Sequence, residues 1–413
     1  GDWSSDVCSS DLSIFTRCLR TLNLIRRLTV GAPSLLAPVR IAIITESFLP
    51  NVNGVTNSIL RLLEFCDAYG HEAMVIAPES GTPIDSYLGF KVKYVPSVNI
   101  KKIIPIGIPN FSIRHFLEGF NPEIIHLASP TILGAYMINV GQELGIPTLS
   151  MYQTDLSGFA RHYGLTLGNL ALQKRIARIH ENSNRTLVPS RSAASDLKKY
   201  GVSNVFVLPR GVDLQLFSPI RRDEALRNVW RNGRPKYLVG YMGRIANEKS
   251  IEDLSVLNDD NRIQLVIIGD GPARERIKRI LPNAIFQGHL SGEDLATKIA
   301  SLDIFVHTGR HETFCQSLQE ALASGIPAVA PASGGPLDLI QHGFNGQFFT
   351  PGHSREMKKA VYSILEGDLE SYEFAARESV ISRDWDSINK RLFNHYHELI
   401  NTRKIRRERT VGA

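Results

Sequence analysis

Residues Asp303–Ile340 read DIFVHTGRHETFCQSLQEALASGIPAVAPASGGPLDLI, and this stretch decides the fold. Asp303-Ile-Phe-Val-His307 is a short apolar run ending in polar residues, the pattern of a buried strand reaching the rim of a sheet. Thr313 to Ser324 follows at helical spacing, with Phe314, Leu318, Ala321 and Leu322 on one side and Gly325 as the stop. Ile326-Pro-Ala-Val-Ala330 reads as the next strand, and Gly334-Gly335-Pro336 as the start of another helix. Glu312 stands just before the first helix and Glu320 two turns inside it, so both carboxylates project toward one crevice. The amides of Thr313, Phe314 and Cys315 lie between them, and a helix N-terminus suits a phosphate. Two hydroxyl-binding acids flanking a diphosphate suit a nucleotide-sugar. The competing reading is an exposed helix carrying two solvated glutamates.

Glu-x7-Glu after a strand, followed by a Gly-Gly-Pro helix start, resembles the donor site of retaining GT-B glycosyltransferases of family 4. The resemblance runs from about Val39 to Ile400 and implies an α/β architecture. Two Rossmann-like doubly wound parallel-sheet domains would face a central cleft, with a C-terminal helix crossing back to the first. It also implies that Glu312 meets the sugar hydroxyls and Glu320 the nucleotide ribose.

Working outward, 413 residues leave room for two domains with real cores. A hydrophobic content of 43% and a charged content of 21% are those of a globular protein that is not membrane-spanning. The formal charge of +6 includes a C-terminal basic cluster, Arg403–Arg409, suited to an anionic surface. No nucleic-acid partner is indicated. Four scattered cysteines show neither metal spacing nor a disulfide framework, which places the chain in a reducing, cytoplasmic compartment, at the inner face of the cell membrane if a lipid is engaged. Residues 1–38 read as an extension outside the fold. Gly1–Leu12 has no period and resembles translated adapter sequence, and Ser13–Pro38 is apolar and arginine-rich.

The first domain is expected over 39–212 and assigned to acceptor binding. Ile41–Thr45 is a strand, Glu46–Gly54 a turn-rich loop and Val55–Tyr69 an amphipathic helix ended by Gly70. That order opens a doubly wound sheet with the loop at the ligand-binding edge. The string S-F-x-P-x-x-N-G-V resembles the loop of mannosyl- and sulfoquinovosyl-transferases with lipid acceptors, which places Asn53 at the acceptor and Gly54 at the donor. Ala73–Ala77, Val92–Val95, Glu123–Leu127 and Thr148–Met151 read as further strands, and their alternation with helices argues for a parallel sheet. Asn99–Ile108 sets isoleucines beside Lys101 and Lys102 in an exposed loop, a pattern suited to a lipid surface or to a buried connection. His126 ends a strand at the carboxyl edge. The loop Tyr152-Gln-Thr-Asp155 resembles the Tyr-x-Thr-Asp loop of the mannosyltransferase branch. His126, Tyr152 and Asp155 are therefore expected on the acceptor side. Ser190 reads as a helix cap.

The second domain is expected over 213–382 and assigned to the nucleotide-sugar, with 383–413 as crossover helix and basic tail. Tyr237–Met242 is a strand and Gly243-Arg244-Ile-Ala-Asn-Glu-Lys249 the loop after it. Arg244 and Lys249 would neutralise a diphosphate, and G-R-x-x-x-E-K matches the family's phosphate pair. Gly243 belongs to that donor loop, and Phe286–Leu290, ending at Leu290, is expected at the nucleobase. No paired-carboxylate metal motif is present, so no metal or other cofactor is expected. The resemblance implies front-face transfer of a hexose, with Arg244, Lys249 and Glu312 as the catalytic set. Y-x-T-D, P-R-G-V-D and H-E-T-F-C-Q favour mannose from GDP-mannose and a lipid or glycolipid acceptor at the membrane surface. The alternatives are a UDP-sugar-dependent glycolipid synthase and a non-catalytic nucleotide-sugar-binding protein.

Overall fold

A computed structural model describes residues 37–51, 53–100, 104–128, 130–153, 169–234 and 236–411. The chain divides into two compact units. One comprises Gly1–Met151, Asn182–Asn184 and Phe393–Ala413, the other Tyr152–Glu181 and Arg185–Leu392.

The first unit is built on β1 (Arg40–Ile44), β2 (Glu72–Pro78), β3 (Ser86–Tyr87), β4 (Phe90–Val95), β7 (Ile124–Leu127) and β8 (Thr148–Met151), in the order β8-β7-β1-β2-β4-β3. Every pairing in it is parallel except β3 with β4. β1 is central, with Ile41 level with Ala73 of β2 and Ile124 of β7, and Ile41, Ala42 and Ile43 fully buried. A strand covered on both faces needs a continuous apolar run, which is why β1 does not alternate. The helix Gly54–Tyr69 starts where the Asn53 side chain accepts from the amides of Val55 and Thr56, and stops at Gly70 with φ +73°. The stretch expected as an exposed loop is instead an antiparallel hairpin, β5 (Ser97–Ile100) and β6 (Ile104–Gly107). Its alternating β-branched residues favour pairing over a free loop. The last helix, Trp385–Val411, runs past the expected Ile400. From Phe393 onward it belongs to this unit, where Phe393 packs 5.0 Å from Phe65 and 4.1 Å from His71.

In the second unit β9 (Arg185–Val188) pairs in parallel with β10 (Val205–Val207). A six-stranded sheet has the order β13-β12-β11-β14-β15-β16, from β11 (Tyr237–Met242), β12 (Ile263–Ile268), β13 (Ile285–Gly288), β14 (Ile304–Val306), β15 (Ala328–Pro331) and β16 (Gly346–Phe349). All five pairings are parallel. Leu238 and Met242 of β11 enter one apolar core while Val239 and Tyr241 enter the other, the period of two expected of a strand buried on both faces. Both parallel sheets are Rossmann-like, as the resemblance implied. Asp303 anchors the deciding stretch: one oxygen takes the buried Arg227 guanidinium at 2.7 Å and the other takes the Leu238 amide at 2.7 Å. Two local readings are corrected. The helix after Glu312 starts at Gln316, not Thr313, and Gly-Gly-Pro opens only a 3-10 turn, Gly335–Asp338. The reason is close packing of the two segments: the Gly335 amide donates to the Glu312 carbonyl at 2.7 Å, which holds 312–315 out of the helix. A Cβ on Gly334 would lie 2.4 Å from that carbonyl oxygen, and its φ of +65° also calls for glycine.

Candidate functional site

In the second unit, two loops at the carboxyl edge of the six-stranded sheet meet. The loop after β11 carries Gly243, Arg244 and Lys249. The loop after β14 carries Glu312, Thr313, Phe314 and Cys315. They are held together by a side chain: the Thr308 hydroxyl donates to the Lys249 carbonyl at 2.6 Å. Neighbouring backbone comes closer still at Gly269, where a Cβ would sit 2.0 Å from the Gly243 carbonyl oxygen. The Lys249 ammonium then lies 2.5 Å from Glu312 Oε1. Arg244 is turned to Glu248 at 2.5 Å, with about half of its side chain exposed.

A third group shares the Glu312 oxygen. His307 Nε2 lies 3.1 Å from Oε1, and the ring is 2% exposed. Neither ring nitrogen makes an aligned hydrogen bond among the described residues. Burial alone would strip the proton from His307, but Cys315 and Glu312 push it up to about 10. Burial likewise opposes ionisation of Glu312, yet His307 and Lys249 hold it down to about 2. Lys249 loses water and still has its pKa raised, by Glu312. The cluster is thus one anion between two cations.

Glu320 lies in the helix Gln316–Ala323 and is half-buried. Burial pushes its carboxyl up to about 7, against the opposing pull of Gln316 and Arg210. Arg210 is itself pulled down to about 10 by burial, against Glu320. The segment is braced by Gln316 and Gln319, which donate to the carbonyls of Gly211 and Arg210 at 3.1 and 3.0 Å. Among the described residues no backbone acceptor takes the amides of Thr313, Phe314 or Cys315. The side chains of Phe314 and Cys315 are buried, while the Thr313 hydroxyl donates to the Gln153 carbonyl at 3.0 Å. Cys315 precedes the helix at φ +79°. Leu290 packs against the unit's core.

A cavity of about 140 Å³ opens beside Glu312, lined by Tyr152, Ser192, Asp196, Arg310, His311 and Thr313 among others. It gathers Tyr152 with the Glu312 loop. Arg310 is engaged with Asp253 at 3.1 Å and Asp196 with Lys199 at 3.0 Å.

The first unit holds the remaining candidates. The Asn53 carboxamide is occupied as the helix cap, and its amide donates to Ser47 Oγ at 2.7 Å. Gly54 is the first residue of the helix. His126 is buried on β7 with Nδ1 2.7 Å from the Tyr396 hydroxyl, and burial lowers its pKa to about 3. Asp155, Arg161–Tyr163, Lys101, Lys102 and 1–36 lie outside the described residues. Among the described residues no cluster of three or more metal-ligating side chains occurs, and no helix is long and apolar enough to cross a membrane.

Sequence reasoning missed His307, Glu248 and Arg210. His307 carried the same signal that singled out His126, a histidine at the carboxyl end of a strand. Glu248 stood at helical spacing from Arg244, the spacing of an ion pair.

Comparison with known proteins adds an independent line. The family described as Glycosyltransferase Family 4 matches residues 52–216, and that described as Glycosyl transferases group 1 matches 222–379. A GDP-mannose-dependent alpha-mannosyltransferase of Corynebacterium glutamicum is 43% identical over 373 residues, covering 89% of this chain and 90% of that protein. A GDP-mannose-dependent alpha-(1-6)-phosphatidylinositol dimannoside mannosyltransferase of Mycobacterium tuberculosis is 28% identical over 321 residues, covering 73% of this chain and 82% of that one. Among solved structures, Anabaena HepE in complex with UDP superposes with a TM-score of 0.71 at 16% identity, covering 87% of this chain and all of that one.

Proposed function

Because this chain belongs to glycosyltransferase family 4, we propose that it transfers mannose from GDP-mannose, with retention, to a hydroxyl of a lipid or glycolipid acceptor. The observation that carries the reading is the cluster at the β11 and β14 edges, with Lys249 2.5 Å from Glu312 and beside them the amides of 313–315, which no backbone acceptor takes among the described residues. A diphosphate needs cations and amide donors at one place, and a sugar needs a carboxylate next to them. The GDP-mannose donor is supported by the 43% identity to a protein of that activity. The lipid acceptor rests on the more distant phosphatidylinositol dimannoside enzyme.

In the proposed mechanism Lys249 and Arg244 meet the diphosphate, Glu312 holds sugar hydroxyls and Glu320 accepts from the ribose. The leaving phosphate oxygen takes the proton of the attacking acceptor hydroxyl on the same face while the sugar becomes oxocarbenium-like. Double displacement would need a carboxylate free to bond the anomeric carbon. Glu312, held between Lys249 and His307, is poorly placed for that. Developing charge on the phosphate is met by Lys249, Arg244 and the 313–315 amides, in a site that needs no divalent metal. Tyr152, and by the resemblance Asp155, are assigned to the acceptor in this reading, which leaves His126 and Asn53 with structural roles.

A membrane surface fits the first unit, where Val98, Ile108 and Phe111 are exposed close together in sequence around the hairpin, Phe111 at 96%. Apolar side chains exposed beside basic residues enter a bilayer interface.

Radiolabelled GDP-mannose and UDP-glucose, incubated separately with enzyme and membrane lipid, test the donor. Label is expected in the lipid phase from GDP-mannose alone, and transfer from UDP-glucose alone would replace the donor. EDTA is expected to leave the rate unchanged, and loss restored by magnesium or manganese would overturn metal independence. Flotation with anionic vesicles is expected for the wild type and weakened in Ile108→Ser with Phe111→Ser; equal flotation counts against this face.

A further inference from the structure

The shared oxygen of Glu312 bears on how the donor is received. We propose that Lys249 has two alternative anionic partners, Glu312 in the empty site and the diphosphate in the loaded one, and that His307 is the positioning residue that holds Glu312 once Lys249 has left. This rests on the donor-site reading above and adds the order of events within it.

The geometry favours exchange over a fixed pair. Glu312 Oε1 is approached by Lys249 at 2.5 Å and by His307 Nε2 at 3.1 Å. The histidine is within reach of the oxygen but is not aligned for a hydrogen bond, and it is 2% exposed. A buried polar nitrogen left so is costly in a native structure and calls for an explanation. Here the same oxygen is taken by Lys249, the nearer of the two cations. The surroundings keep the ring where it is. Tyr241 lies parallel to it within 11° at 6.3 Å, and its hydroxyl is bonded to the Arg244 carbonyl at 3.3 Å. Space is reserved as well, since a Cβ on Gly309 would fall 2.8 Å from His307 Nε2 and 3.0 Å from Glu312 Oε1. Lys249, by contrast, has a flexible stem and is about a quarter exposed, so it is the partner able to move. The diphosphate is thereby required before the sugar-facing carboxylate is released.

Exchange has a signature that a static pair lacks. Abolishing the charge of Glu312 frees Lys249 in advance, so Glu312→Gln should bind GDP more tightly than the wild type, by about three- to tenfold, while turning over more slowly. His307→Phe should lower kcat about tenfold with GDP affinity within twofold of wild type, and His307→Gln, which keeps an N–H donor, should recover most of the rate. Calorimetry with GDP and initial rates with GDP-mannose read both. GDP affinity in Glu312→Gln equal to or weaker than wild type overturns the exchange. Equal kcat in the His307→Phe and His307→Gln variants overturns the positioning role. If the Phe variant fails to fold, Gly309→Ala, which crowds the same pair, takes its place: a slowed variant supports the role and a wild-type kcat overturns it. A wild type that binds GDP but transfers no mannose overturns the function above and leaves the exchange standing on the GDP titrations.

Discussion

His126 and His307 are two histidines at the carboxyl ends of parallel strands, one in each unit, and both are almost completely buried, at 3% and 2% exposure. Their pKa values move in opposite directions. His126 sits among apolar residues with the Tyr396 hydroxyl at 2.7 Å, and burial lowers its pKa to about 3. His307 suffers the same loss of water, yet Cys315 and Glu312, the latter 3.1 Å away, raise it to about 10. Burial therefore does not decide whether a histidine is charged; the sign of the nearest group does. The neutral ring ties a helix to a sheet, while the charged one is part of a site.

The largest effect should come from the cation that shares the Glu312 oxygen with His307. Lys249→Ala removes a charged contact from the leaving phosphate and should lower kcat about a hundredfold, equivalent to about 3 kcal/mol of barrier, with weakened GDP binding. Initial rates and calorimetry check it, and a rate near wild type would mean that the His307 cluster is no more catalytic than the His126 one.

Next is Tyr396→Phe, which strips His126 of its partner. A buried nitrogen without a bond should cost about 1–3 kcal/mol of stability, read as a lower denaturant midpoint, with kcat per folded molecule unchanged. A loss of kcat at full folding would give His126 a role in the reaction after all.

The pH dependence of stability should have two limbs of opposite sign. For His126 the folded pKa of about 3 lies below the ordinary 6.5, so between them the unfolded chain binds more protons and stability falls as pH falls. For His307 the folded value of about 10 lies above 6.5, so its contribution is complete below 6.5 and is lost as pH rises toward 10. Each limb has a slope of at most about 1.4 kcal/mol per pH unit. Unfolding of His126→Asn should show a shallower acid limb, His71 and His180 supplying the rest because burial lowers them to about 4 and about 3, and that of His307→Asn a shallower alkaline one; slopes unchanged in both variants would erase the distinction between the rings.

The smallest effect is expected at Cys315→Gly. Cys315 holds φ +79°, where a side chain is strained, and glycine relieves this at the expense of a more flexible unfolded chain. Relief of that strain is offset by the buried side chain that is lost, so a net change within about 1 kcal/mol is expected in urea unfolding. The alkaline limb should weaken as well, because Cys315 stands with Glu312 among the neighbours that raise His307.

The placement of the candidate residues on the fold was legible in the amino-acid sequence. Arg244 and Lys249 follow β11, Glu312 follows β14 and Glu320 lies within the next helix, and local period along the chain carries that placement. The helix start at Gln316 was not legible, because Thr313–Cys315 fits a helical pattern and only the bond from Gly335 to the Glu312 carbonyl excludes it. The hairpin at β5 and β6 was hidden for a related reason. Its residues suit either a loop or a strand, and pairing across the turn decides.

By itself the sequence determined the alternation of strands and helices, the apolar runs of β1 and β11 and the Glu-x7-Glu spacing, since these depend on local period and short-range geometry. Only the tertiary structure decided that Asn53 is a helix cap, that His126 is a neutral tie and that His307 shares an oxygen of Glu312 with Lys249. Lys249 and Glu312 are separated by 63 residues, and His126 and Tyr396 by 270. A side chain's charge and partner depend on what the fold brings within a few ångströms, and no local pattern records that distance.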